Sequence, residues 1–241
     1  MKSDDHLGQG HWGGPSRLLG WPMLSVPTLW IVFVVNFVAL GVVWAYVARR
    51  YPNLEAARFW AASAFVAAFG AVVAMSRSAI DPQDHILLLV PLLAGGSILV
   101  LAVCLATMGI RRFYGKSPSW RLTCAVVAIN FLGLAYFVWH DNMVMRILIY
   151  SGCQIVPMAL TLPLVLSRDH GREHSGARLA GWIVIVMIGV YVLRSVAAVL
   201  HVGGNVSLIE FNPFQAVLIL TLVFLSMMWN FGFVLIAIDR L

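Results

Sequence analysis

Apolar residues run along this chain in long unbroken stretches, not in the one-sided stripe of a helix resting on a water-soluble core. Seven stretches reach the roughly 20 residues that cross a bilayer at about 1.5 Å per residue. They are Pro27–Ala48, Arg58–Ser76, His85–Ile110, Arg121–Trp139, Arg146–Leu166, Arg178–Leu200 and Pro213–Ile238. Turn and breaker residues separate them: Tyr51-Pro52-Asn53, Asp81-Pro82, Gly115 to Pro118, Gly171 to Gly176, and Gly203-Gly204 with Asn212-Pro213. Period-2 alternation, the mark of an outer-membrane strand, is absent. The pattern predicts an all-α polytopic membrane bundle of seven transmembrane helices over residues 27–241. Residues 1–26 read as a polar, Gly-rich extracytoplasmic tail that meets the membrane near Trp21 and Trp30. This tail lacks the basic start, apolar core and small-residue site of a cleaved signal peptide.

Composition agrees with the pattern. Of the 241 residues, 61% are hydrophobic and 11% charged, where a soluble domain has about 45–50% and about 25%. The mean hydropathy is +0.89 and the pI about 9.7. The net charge of +6 comes from arginines scattered between spans, which is not the single basic face of a nucleic-acid binder. Their distribution sets a topology. The first, third and fifth connections plus the C-terminus carry eleven lysines and arginines against four on the opposite side, with Arg194 inside a span. The positive-inside rule then puts the N-terminus outside and the C-terminus in the cytoplasm. Cys104, Cys124 and Cys153 all lie in apolar stretches without metal-ligand spacing, as small side chains packed within helices do.

Ionisable residues at membrane depth are costly and point to function. Arg194 lies about two turns inside the sixth span, with Tyr191 and His201 on broadly the same face. Asp141 and Glu210, at the ends of neighbouring connections, are its candidate partners, and the site reads as a ligand or switch centre. The alternatives are a structural ion pair or an arginine snorkelling to the interface. Arg146 shares a face with Tyr150 and Gln154 in the fifth span, and Asn130 shares one with Asp141 in the fourth. His85, His140 and His201 mark outer helix ends. Neutral imidazoles from several helices can hold a metal or haem iron, but no HxxxH or HExxH spacing supports a dedicated site, so the expectation is no cofactor and interfacial histidines. Asn36 and Asn230 predict hydrogen bonds between helices. Ala61, Ala64, Ala68 and Ala71, with Gly95-Gly96, predict close helix packing.

Several chemistries lack their residues. A retinal Schiff base needs a lysine within a helix, and the only lysines are Lys2 and Lys116, both outside the spans. No nucleophile elbow, zinc pair or phosphate-binding Gly-Lys loop is present. The expectation is that this chain is not itself an enzyme.

One resemblance bears on function. Met227 to Leu241, reading MMWNFGFVLIAIDRL, is an exit helix ending in Asp239 and Arg240, and Asn230-Phe231-Gly232-Phe233 forms part of it. This segment, with Ala48-Arg49-Arg50-Tyr51-Pro52, Trp60 and Arg111-Arg112-Phe113-Tyr114-Gly115, resembles the membrane input modules of bacterial GGDEF diguanylate cyclase-type signalling proteins. The resemblance implies a sensor in the bacterial inner membrane. It would relay an extracytoplasmic or lipid-phase stimulus through Asn230, Asp239 and Arg240 to a cytoplasmic output domain, and it would work as a homodimer. The sequence stops at Leu241, where the linker helix would begin, and has no GGDEF signature, so no catalytic residue carries over. A small transporter or channel and a membrane haem or redox protein are the other readings.

Overall fold

The computed structural model describes residues 26–80, 85–166, 175–202 and 213–238. Seven long helices fill them: α1 (Val26–Arg50), α2 (Glu55–Met75), α3 (His85–Phe113), α4 (Trp120–Trp139), α5 (Met143–Val165), α6 (Ser175–Val199) and α7 (Pro213–Ile238). A short 3-10 helix, Ser76–Ala79, follows α2. Each long helix contains a span long and apolar enough to cross a bilayer, and no strand occurs among the described residues. This is a polytopic all-α bundle. In lipid, a helix satisfies its backbone hydrogen bonds internally, which apolar stretches of this length require. The N-terminal tail, Glu210, Asp239 and Arg240 lie outside the described residues, as does the side chain of His85.

Sequence-adjacent helices run antiparallel against one another, α3 also touches α5, and α7 returns to α1. Helix α2 starts three residues earlier than the apolar pattern predicts. Ala56 and Ala57 are fully buried in the main core, so the first turn is held by packing as well as by lipid. The alanine face of α2 does what its spacing suggests: Ala61, Ala64, Ala68 and Ala71 are buried, and Gly95 of α3 passes so near that an added Cβ would lie 2.9 Å from the Ala74 nitrogen. Small residues permit such close approach where lipid offers no hydrophobic drive between helices.

The main core joins six helices and is tied by aromatic rings. Trp60 of α2 stacks on Phe233 of α7 with centroids 4.8 Å apart and planes within 7°. Trp44 of α1 lies 4.8 Å from Trp60, and Trp229 lies 4.9 Å from Phe233. Helix α4 is absent from this core. It docks through Val126 against Val100, Cys104 and Cys153. Its outward face, including Leu132, Tyr136 and Trp139, is exposed as a lipid-facing surface would be.

Three helices end in the same way. In the Schellman cap the residue after the helix takes a left-handed conformation and returns two N–H bonds to the last turn. Gly115, Asp141 and His201 hold that position after α3, α4 and α6, with φ of 69°, 46° and 52°. The returning bonds are Lys116 to Arg111, Asn142 to Phe137 and Val202 to Ala197. Glycine suits this conformation, whereas Asp141 and His201 hold it against their own Cβ atoms.

Candidate functional site

The cap after α4 leads directly into the site. Asn142 caps α5, its side-chain oxygen accepting from the Met145 N–H at 3.1 Å. The three-residue connection therefore has no slack, and it sets the Asp141 carboxylate against Arg146, whose Nη2 donates to Oδ1 at 3.0 Å. The pair is unequal in burial: side-chain exposure is 5% for Arg146 and 92% for Asp141. Arg146 Nε and Nη1 are buried with no hydrogen-bond partner among the described residues. A buried charged group in that condition is costly, because its desolvation is not compensated.

One and two turns deeper on the same face come Tyr150 and Gln154, whose side chains interact. Gln154 is 2% exposed and its Oε1 is unpartnered. Gly96 of α3 leaves room for the Tyr150 ring, which approaches to 3.8 Å of where a Cβ would stand. From α6, Arg194 lays its guanidinium carbon 5.9 Å from the Tyr150 ring centroid, a cation–π distance. Tyr191, one turn away, is buried within electrostatic reach of both Tyr150 and Arg194. Arg77, from the short 3-10 helix, lies within electrostatic reach of Arg146. Burial pushes its guanidinium below the ordinary arginine value.

The residues singled out from sequence thus part company. Tyr150, Gln154, Tyr191 and Arg194 come together, and Arg146 stands one turn from Tyr150 on the same face of α5. Asp141 joins them through Arg146, not through Arg194 as expected. The reason is geometric: five residues separate Asp141 from Arg146 across a helix break, and the cap folds that interval back. His201 stands exposed past the end of α6. His140 is exposed too, its Nδ1 2.9 Å from the Tyr136 carbonyl and its ring 4.2 Å from the Tyr136 ring. No group of three histidines, cysteines or acids able to hold a metal occurs among the described residues. The sequence predicts an interhelical amide bond from Asn36 and Asn230, but it is Asn130 that makes one, donating to Ser97 Oγ at 3.2 Å, while Asn36 Nδ2 is buried without a partner among the described residues. Asn230 instead bonds back to Ser226 of its own helix. Arg77 carried only a topological signal in the sequence. Its membership could have been read from the fact that Arg77, Arg146 and Arg194 are the cations that the connections and spans bring to this end.

No family model, characterised protein or solved structure matches this chain. The arrangement itself must speak for its chemistry. The groups gathered at this end are polar but largely buried: two guanidiniums with unpartnered nitrogens, two tyrosines and a glutamine amide. No nucleophile and base are paired within it. A shallow cleft at the opposite end, lined by Asn53, Glu55, Arg112 and Gly115 among others, offers less, since Arg112 is already paired with Glu55.

Proposed function

We propose that this chain is a membrane sensory module of the bacterial inner membrane, with its N-terminus outside and its C-terminus in the cytoplasm. The arginine–tyrosine cluster receives the stimulus, and α7 carries the response to a cytoplasmic output partner. The observation that carries the reading is continuity. Tyr191 belongs to the same buried cluster as Trp229, Phe233 and Ile236 of α7, so a rearrangement around Arg194 presses on the helix that exits toward the output. The distribution of arginines and the resemblance of the exit segment to diguanylate cyclase input modules support the same direction of signalling. Such a relay works only if the stimulus binds two bundle arrangements with different affinity.

A ligand-independent test follows. With exposed Cys124 replaced by alanine, Cys104 and Cys153 remain buried, and spin labels at Ile238→Cys and Arg121→Cys report the position of the end of α7. Arg194→Gln should shift that distance distribution. An unchanged distribution, with the protein folded, refutes the relay. Solute flux through reconstituted liposomes, abolished by the same substitution, would favour the transporter reading instead.

A further inference from the structure

We propose that the end of the bundle where α1 and α3 finish is a docking collar for anionic phospholipid headgroups, formed by Arg50, Arg58, Arg121 and Arg178. This surface lies at the opposite end from Tyr150 and Arg194, and its role does not depend on the sensory reading. Four helices carry a stripe of exposed side chains at helical spacing, the flank that a bilayer surrounds. On α1 the stripe runs through Val35, Val42 and Tyr46 to Arg50. On α2 it runs through Phe69, Phe65 and Ala62 to Arg58. On α4 it descends from Tyr136 and Leu132 to Arg121, and on α6 from Leu193, Val186 and Trp182 to Arg178. Every one of these arginines is exposed, and each stands at the foot of its stripe at this same end. At the far end the α4 and α6 stripes finish on Trp139 and Val196, with no lysine or arginine in line.

The aromatic residues mark the level. Tyr46, Trp120 and Trp182 are exposed and stand within a turn of Arg50, Arg121 and Arg178, and such amphipathic rings sit among lipid headgroups. The Trp120 ring also lies 6.4 Å from Phe59, next to Arg58, which ties the feet of α2 and α4 together. Arg50 rests 5.8 Å from the Tyr51 ring centroid, a contact through the guanidinium face that leaves its N–H edges to donate. Each arginine serves its own headgroup; the four need not meet on one anion.

Charge complementarity selects the occupant. Glu55 is the one acid at this end among the described residues, and Arg112 already holds it. None of the four arginines has an acidic partner among the described residues. A second copy of the chain has no described acid to offer, since Asp141 lies at the opposite end and engages Arg146. A water-soluble acidic protein meets the end face of a bundle, not its flank. A headgroup phosphate lies at the flank, accepts from a guanidinium fork, and is drawn to basic residues beside membrane helix ends.

The test places the full chain in phosphatidylcholine bilayers with a trace of chain-spin-labelled phosphatidylglycerol or phosphatidylcholine. Electron paramagnetic resonance reads the motionally restricted fraction of each. An arginine at a membrane surface changes association with anionic lipid about fivefold; diluted over the boundary shell, phosphatidylglycerol should exceed phosphatidylcholine by about twofold. About 1 M salt should shrink the excess. Arg50→Gln, Arg58→Gln, Arg121→Gln and Arg178→Gln combined should remove more than half of it, whereas the four lysine substitutions, which keep the charge, should retain it. Lys116→Gln, in the connection after α3 and on no stripe, should leave it unchanged.

Equal association of the two lipids overturns the proposal, as does an excess that survives the fourfold glutamine change. An equal loss in Lys116→Gln overturns it too, because net charge and not the flank would then draw the lipid. Should the fourfold variant fail to fold, Arg58→Gln and Arg178→Gln singly decide, each lowering the excess if the collar is real and leaving it intact if not. Binding of soluble polyglutamate to the chain in phosphatidylcholine nanodiscs, without any phosphatidylglycerol excess, would assign the surface to an acidic protein and remove the headgroup reading. None of these outcomes turns on movement of α7, so the sensory reading stands or falls by its own test.

Discussion

Gly109 offers the sharpest test of the packing. It faces Trp60 across the α2–α3 contact, and an added Cβ would stand 2.4 Å from the indole Nε1 and 2.5 Å from Cδ1. Non-bonded heavy atoms settle at about 3.5–4.0 Å, so the two groups must separate by roughly 1 Å. The ring cannot retreat: it is 1% exposed, with Phe233 stacked on it and Trp44 beside it. Overpacking of this kind costs about 1–3 kcal/mol, against a gain of about 1 kcal/mol from replacing a mid-helix glycine by alanine. Gly109→Ala should therefore lose up to about 2 kcal/mol net and stand about 1–3 kcal/mol below a glycine-to-alanine change made in open space, measured by denaturation with sodium dodecyl sulfate in mixed micelles. Gly152→Ala and Gly189→Ala, where nothing lies within 4 Å, serve as controls and should be neutral or stabilising. Trp60→Leu combined with Gly109→Ala should cost less than the sum of the two single changes, because removing the indole relieves the clash. If Gly109→Ala proves as stable as Gly152→Ala, the α2–α3–α7 aromatic core is not packed as described.

Three further outcomes are expected. His201→Gly should stabilise the protein by about 1 kcal/mol in thermal melts, since glycine accepts the left-handed cap without a Cβ penalty; a loss of stability would mean that the imidazole holds something. Asn130→Ala removes the bond to Ser97 between α3 and α4 and should cost about 1 kcal/mol, read by the same denaturant titration; no change would mean that this bond does not hold the two helices together. Burial raises the Tyr114 phenol above its ordinary value. Its contribution to stability is therefore complete below the unfolded phenol value of about 10 and is lost as pH rises above it. Tyr114→Phe should flatten the fall of the melting temperature between pH 8 and 11, and an unaltered fall would assign the alkaline loss to other groups.

How far the sequence speaks depends on the kind of contact. The seven helices and their order were legible because bilayer thickness imposes a length on every apolar stretch, and the alanine repeat of α2 was legible because helical spacing puts those residues on one face. Arg146, Tyr150 and Gln154 were likewise joined by helical spacing within one element. The Asp141–Arg146 pair was not legible, because it spans a helix break where no periodicity holds. Nor was the stacking of Trp44, Trp60, Trp229 and Phe233 legible, since three separate helices supply these rings. The spans are apolar nearly all round, so hydrophobicity does not mark which face turns inward. Nothing in the residue types at Asp141 and His201 announces a left-handed cap, whereas Gly115 does.

The peripheral seat of α4 gives the chain an internal gauge of its own assembly. Cys124 lies on the exposed side of α4, while Cys104 and Cys153 sit beneath it in the seam with α3 and α5. A membrane-permeant alkylating reagent would modify Cys124 at once and the other two only when α4 lifts away. The interval between one adduct and three then measures how often this helix leaves the bundle. Because α4 shares no residue with the core that ties α7 to α1, α2 and α6, it can detach while that core stays intact. Partial opening would thus begin at the seam beside Tyr150, exposing the arginine cluster to lipid before the bundle itself comes apart.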